Sequence, residues 1–223
     1  MRIKYIYRFI IDSFTNFLFE KDPLVKELEN MDTTTFRSRV EGALRRAPSM
    51  YALFSYKDPL VKALIWNIKF RMNKKCIKLA GKLLHEEIIK IISTHSQDSP
   101  FDAPLLIPVP LSPQRKRQRT YNQTECLVEE IIKNTITTMG TIVVETGASL
   151  VIKKNVSTQT SLSRKERQEN LRNSFVVTHP EKIAGRNIII IDDVITTGAT
   201  VTELSKVLRE AGAKKIIALA LAH

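Results

Sequence analysis

The feature that most constrains this chain is one stretch, Ile188-Ile189-Ile190-Ile191-Asp192-Asp193-Val194-Ile195-Thr196-Thr197-Gly198-Ala199-Thr200. Four β-branched residues in a row read as a strand buried on both faces, the usual strand of a parallel sheet. Two carboxylates stand where the chain leaves that sheet. A hydroxyl-rich turn with one glycine follows. An apolar stripe at helical spacing then begins: Val201, Leu204, Leu208 and Ala211. This order puts a ligand site at the carboxyl end of a strand, where open α/β sheets bind their ligands.

The residue types say what such a ligand carries. The turn Thr196 to Thr200 opens a helix, where backbone N–H groups lack internal partners and the dipole is positive, so it suits a phosphate. Gly198 lets the backbone close around that phosphate, and Ala199 adds little bulk. Thr196, Thr197 and Thr200 offer hydroxyl donors. Asp192 and Asp193 repel phosphate. They match sugar hydroxyls, which donate to carboxylates, or Mg²⁺, which prefers oxygen ligands. A ribose 5-phosphate satisfies both halves. The plainer alternative is a strand end followed by a capped helix, with Thr200 and Glu203 as a capping box.

The whole sequence is compatible with this. At 223 residues it holds one good-sized domain and a smaller lobe. The net charge of +12 favours anionic partners: nucleotides, phosphosugars, nucleic acid or an acidic protein surface. Cys76 and Cys126 both fall on apolar helical stripes, which implies core thiols, a reducing, cytoplasmic compartment and no zinc. Residues 1–20 carry Ile3, Ile6, Ile10, Phe14 and Phe17 on one helical face. Lys4, Arg8 and Asp12 interrupt the run, so no transmembrane segment of about 20 apolar residues is expected, nor a signal peptide. Residues 1–50 read as a helical N-terminal lobe. Asp32 caps a helix carrying Phe36, Val40 and Leu44.

Residues 51–223 read as the main domain. Tyr51 to Tyr56 suit a short strand, and Asp58-Pro59 starts a helix that ends in Lys69-Phe70-Arg71. A second helix spans about 75–93. Leu105 to Val109 form a strand that runs into Pro108-Val109-Pro110-Leu111-Ser112-Pro113, too rich in proline to continue at a sheet centre. Arg115, Lys116, Arg117 and Arg119 follow, then Tyr121-Asn122-Gln123, with Asn122 and Glu125 as a capping pair. The stretch reads as a cationic clamp for pyrophosphate or a nucleic acid backbone, against the plainer reading of a solvated basic loop. Few aromatics lie near it, Tyr121 mainly, so no stacking platform for single strands is visible. Thr141 to Glu145, Leu150 to Lys153 and Phe175 to Val177 read as strands. The charged run between the last two, about 154–172, reads as a mobile lid over a charged ligand or as a solvated segment. Lys215 to Ala222 form the last strand.

Four stretches, in order and spacing, resemble the ComF/GntX family of phosphoribosyltransferase-like proteins. They are Tyr56-x-Asp58-Pro59-Leu60 through Lys69-Phe70; Pro108-Val109-Pro110-Leu111 with Arg119-x-Tyr121-Asn122-Gln123; Gln159-Thr160-x-Leu162-Ser163 with Arg167 and Asn170; and the acid-pair motif. Typical members begin with a four-cysteine zinc module, whereas no cysteine precedes Cys76 here.

The resemblance implies an α/β protein of the type I phosphoribosyltransferase fold: a mainly parallel twisted sheet flanked by helices, with a helical N-terminal lobe. It implies phosphoribosyl pyrophosphate (PRPP) as ligand, Mg²⁺ as cofactor and pyrophosphate as leaving group. Asp192 and Asp193 would then hold the ribose and the metal, with Asp193 supporting the developing positive charge. Thr196, Thr197, Gly198, Ala199 and Thr200 would hold the 5′-phosphate. Val109, Pro110, Leu111, Ser112, Arg115, Arg117 and Arg119 would receive pyrophosphate. Gln159, Thr160, Ser163, Arg164 and Arg167 would lie on the flexible loop. The family is linked to DNA uptake in natural transformation. A non-catalytic protein binding a phosphoribosyl ligand, single-stranded DNA or DNA-uptake proteins is the alternative.

Overall fold

A computed structural model describes residues 23–42, 44–47, 49–94, 101, 103–138, 145–154 and 174–223. The isoleucine run lies inside its sheet as strand β7 (Asn187–Val194), and Ile188, Ile189, Ile190 and Ile191 are completely buried. Parallel pairing sets Leu105–Pro108 of β3 (Leu105–Pro108) beside Ile188–Ile191 on one edge. On the other edge β8 (Lys215–Ala222) runs in register from Lys215 opposite Asn187 to Ala222 opposite Val194. The full order is β1-β2-β8-β7-β3-β4, with β1 at Leu44–Ala47, β2 at Met50–Phe54 and β4 at Glu145–Thr146. All neighbours in it are parallel except the edge pair β1–β2.

Side chains of a strand alternate between faces, so the sheet has two apolar layers. Ile189, Ile191, Ile217 and Leu219 pack against α3 (Pro59–Arg71), α4 (Lys74–Thr94) and α6 (Gln123–Thr138) through Leu64, Ile65, Leu84 and Leu127. Ile188, Ile190, Ala218 and Ala220 pack against Val201, Leu204 and Leu208 of α7 (Ala199–Glu210) and against Val151 and Phe175. Each fully buried aliphatic side chain of this kind contributes about 1.5–3 kcal/mol. The α3 start forms as its sequence dictates: Asp58 Oδ1 accepts hydrogen bonds from the N–H groups of Leu60 and Val61, and Pro59 occupies the first turn.

Two local expectations shift, and two expected strands pair apart from the main sheet. The helix capped by Asp32 is α2 (Thr33–Arg39), preceded by α1 (Pro23–Leu28). It stops before Leu44, which lies on β1. Val40 already has extended backbone (φ −119°, ψ 147°), Gly42 disfavours helix, and pairing with β2 satisfies the backbone of 44–47 instead. Thr200 does not cap α7. The N-cap is Gly198, so Thr200 lies within the first turn. Finally, β5 (Val151–Lys153) and β6 (Phe175–Val177) form their own antiparallel pair outside the main sheet. Residues 1–22 and the lid residues 155–173, including Gln159, Thr160, Ser163, Arg164 and Arg167, lie outside the described residues.

Candidate functional site

The carboxyl ends of β3 and β7 open into a cleft of about 530 Å³. Its floor is the acid pair. Both acids lie within β7 rather than after it, with Asp192 opposite Ala220 of β8. Alternation therefore sends them towards different layers. Asp193 is buried, and its Oδ1 lies 3.0 Å from Lys69 Nζ in the last turn of α3. Its Oδ2 has no hydrogen-bond partner in the protein. Asp192 retains a partly exposed edge, and its Oδ1 accepts the N–H of Asp193 at 2.8 Å. Protein packed around Asp192 desolvates the carboxylate, and the Asp193 charge beside it adds repulsion. Together they push its pKa up to about 7. Lys153, at the end of β5, is pulled below its usual range by desolvation and by Arg115, while Asp192 opposes that shift.

The proline-rich loop after β3 forms one wall, and Val109, Pro110, Leu111, Ser112, Arg115 and Arg119 all line the cleft. Ser112 caps the short helix α5 (Pro113–Gln118), accepting the Arg115 N–H at 3.3 Å. The Tyr-Asn-Gln run fixes this wall in place. The Tyr121 hydroxyl donates to the Ile68 carbonyl and accepts the Met72 N–H at 2.9 Å. It thereby satisfies the end of α3, where Met72 takes a left-handed conformation. Asn122 Nδ2 and the Thr124 hydroxyl both donate to the Val109 carbonyl, at 3.3 and 2.8 Å. Arg119 Nη1 donates to Gln123 Oε1 at 2.9 Å, which aims its guanidinium along the wall. Arg117 is not among the lining residues.

The opposite end is the turn after β7. Thr196 and Thr200 line the cleft, while Thr197 and Ala199 lie beside them in the same turn and are tied by the Ala199 N–H to Thr197 Oγ1 contact at 3.4 Å. Gly198 takes φ +78°, and an added Cβ would stand 3.2 Å from Met50 Sδ of β2. Glycine is required there for both reasons. α7 begins immediately after, so its positive end faces the cleft.

The structure also brings in groups that no local pattern assigned to the site. Lys69, Lys153, Tyr56 and Phe70 line the cleft. With Arg115 and Arg119 they make four cations against two carboxylates. Aromatic rings besides Tyr121 lie near the basic loop. Trp66 and Phe70 of α3 are exposed with ring centroids 5.7 Å apart; Arg71 lies over Trp66 and Arg119 over Phe70. Helical spacing sets Trp66 and Phe70 on one face, but only the tertiary fold brings Phe70 to the cleft and Arg119 over its ring.

Mg²⁺ suits this floor only in one manner. The unpartnered Asp193 Oδ2 and the partly exposed Asp192 offer oxygens, the atoms Mg²⁺ prefers. Among the described residues no cluster of three or more acidic, histidine or cysteine side chains could cage an ion. Asp192 and Asp193 would supply oxygen ligands to such an ion, which would keep much of its water.

Residues 128–223 match the phosphoribosyl transferase domain family. Over 187 residues the chain is 32% identical to competence protein F of Haemophilus influenzae, covering 82% of this chain and 77% of that one. The chain belongs to the ComF family. ComF relatives further include the DNA utilization protein YhgH of Escherichia coli K12, 28% identical over 176 residues, covering 78% of this chain and 72% of that one. Among solved structures, the glutamine PRPP amidotransferase of B. subtilis aligns with 64% of this chain and 25% of its own, at 18% identity and a TM-score of 0.38. The domain match over residues 128–223 and the parallel sheet order give the ComF chain a phosphoribosyltransferase-like fold, with β3 and β7 carrying the loop and acid-pair motifs. No helix among the described residues is long and apolar enough to cross a membrane.

Proposed function

We propose that this ComF protein binds PRPP in the β3–β7 cleft and transfers its phosphoribosyl group. The observation that carries the reading is a single cleft lined at once by Thr196 and Thr200, by Asp192 and Asp193, and by Arg115 and Arg119. That order matches the 5′-phosphate, the ribose diol and the pyrophosphate of one ligand. The α7 turn anchors the 5′-phosphate, so binding energy far from the reacting carbon positions it. Asp192 and Asp193 accept the ribose hydroxyls. Arg115, Arg119 and Lys153 receive pyrophosphate as its bond to the anomeric carbon breaks and a nucleophile bonds to that carbon. The transition state is oxocarbenium-like, and the nearby Asp193 carboxylate stabilises the developing charge. Bound Mg²⁺ would neutralise charge on the departing pyrophosphate.

The test is PRPP binding by calorimetry with and without Mg²⁺, on the native chain and on an Asp192→Asn/Asp193→Asn variant. Mg²⁺-dependent binding lost in the folded variant is expected. Equal binding by both proteins rules the reading out. The alternative is a non-catalytic protein for single-stranded DNA in a cytoplasmic step of DNA uptake, in keeping with the competence and DNA-utilization names of its relatives. The exposed Trp66–Phe70 pair with Arg71 and Arg119 favours it, because bases stack on aromatic faces while cations meet phosphates. Such binding should weaken steeply with salt; salt-independent binding counts against it.

A further inference from the structure

We propose that Lys69 is a positioning residue of the site: it holds Asp193 by Oδ1 and leaves Oδ2, the unpartnered oxygen of this cleft-lining carboxylate, for a ligand hydroxyl. The proposal rests on the phosphoribosyl reading and adds to it a helix outside the acid-pair and loop motifs. Lys69 lies in the last turn of α3, and its ammonium is 3.0 Å from Asp193 Oδ1 at the cleft floor. The Asp193 side chain is 5% exposed and that of Lys69 is 21% exposed, so the pair is largely removed from water yet open to the cleft. A buried carboxylate oxygen without a partner is costly, and Asp193 Oδ2 is one. A ribose hydroxyl donating to Oδ2 would satisfy it. A lysine can leave it free because its ammonium is a compact point charge that engages one oxygen.

The end of α3 is itself fixed to the pyrophosphate-loop side of the cleft. Tyr121 Oη donates to the Ile68 carbonyl and accepts from Met72, the residues on either side of the Lys69-Phe70-Arg71 run. Lys69 is therefore presented by a helix end with little freedom to retreat. The basic loop, α3 and the acid pair form one rigid frame around the sugar position.

The experiment compares the affinity of ribose 5-phosphate with that of inorganic phosphate, by calorimetry, in the native chain and in Lys69→Met and Lys69→Arg variants checked by thermal melting. The ratio isolates the sugar hydroxyls from the phosphate turn. A charge-assisted hydrogen bond gives the native chain a preference for ribose 5-phosphate of about tenfold or more. Lys69→Met should bring that preference towards unity; losing one cleft cation weakens both ligands through their phosphate, so the ratio and not either affinity alone reads the role of Lys69. Lys69→Arg keeps the charge and the fold, but its planar fork claims both carboxylate oxygens, so it too should lose the preference. A purely structural ion pair would be rescued by arginine, with the preference intact. Retention of the preference in either folded variant overturns the assignment of Lys69. Absence of the preference in the native chain overturns the phosphoribosyl reading itself.

Discussion

Asp192 offers a prediction in which stability and function run in opposite directions. Its carboxyl titrates at about 7 in the folded protein against 3.8 for a free side chain, because packing and then Asp193 disfavour its charged form. The folded state therefore holds a proton that the unfolded chain has released. Stability contributed this way is complete below the unfolded value and is lost as pH rises through about 7. One pKa unit corresponds to about 1.4 kcal/mol, so raising pH from 5 to 7 costs at most about 2–3 kcal/mol. The open edge of Asp192 and its coupling to Asp193 reduce this to about 1 kcal/mol. Asp192→Asn keeps an oxygen for the Asp193 N–H and removes the titration, while Lys69, Lys153 and Arg115 remain around it. Urea unfolding at pH 5 and pH 8 reads the effect. The native chain should lose about 1 kcal/mol more than the variant between those values, and the variant should be the more stable at pH 8. Parallel losses in the two proteins refute the argument. The same variant should bind PRPP more weakly, since its amide replaces one acceptor oxygen.

Three further outcomes follow from single contacts. Gly198→Ala combines a left-handed backbone with a Cβ 3.2 Å from Met50 Sδ, so thermal melting should show a loss of about 1–2 kcal/mol, and phosphate binding should weaken with it. Tyr121→Phe removes both hydrogen bonds at the α3 end, costing about 1–2 kcal/mol in urea unfolding, with a rise in hydrogen exchange at Met72 as the local signature. Trp66→Ala should weaken binding of a fluorescent single-stranded oligonucleotide by about 1–3 kcal/mol, read by anisotropy, while leaving PRPP binding, whose cleft Trp66 does not line, within about twofold. Unchanged oligonucleotide affinity removes the stacking assignment.

Much of the site could be read locally. The run from Ile188 to Thr200 specified a buried strand, an acid pair, a turn and a helix, because strand burial and helix entry are encoded within a few residues. Asp58-Pro59 fixed a helix start for the same reason. The proline-rich run after β3 and its arginines were legible as a cleft wall. Other features were not. The Leu44 expectation followed helical spacing, and strand pairing with β2 decided otherwise. Tyr121-Asn122-Gln123 read as polar groups beside a cationic clamp, and what no local pattern showed is that these side chains also tie α3, Val109 and Arg119 into place. The Trp66–Phe70 pair with its arginines depends on which way α3 faces.

By itself, then, the sequence determined the alternation of elements, the central strand and the acid pair and hydroxyl-rich turn at its carboxyl end, since these depend on neighbours a few residues apart. The tertiary structure alone decided that Lys69 meets Asp193, that one acid is paired while the other is desolvated, and that Arg119 reaches Phe70. Those contacts join residues far apart in the chain, and no local periodicity records which distant side chains the packing of a sheet and its helices will bring together.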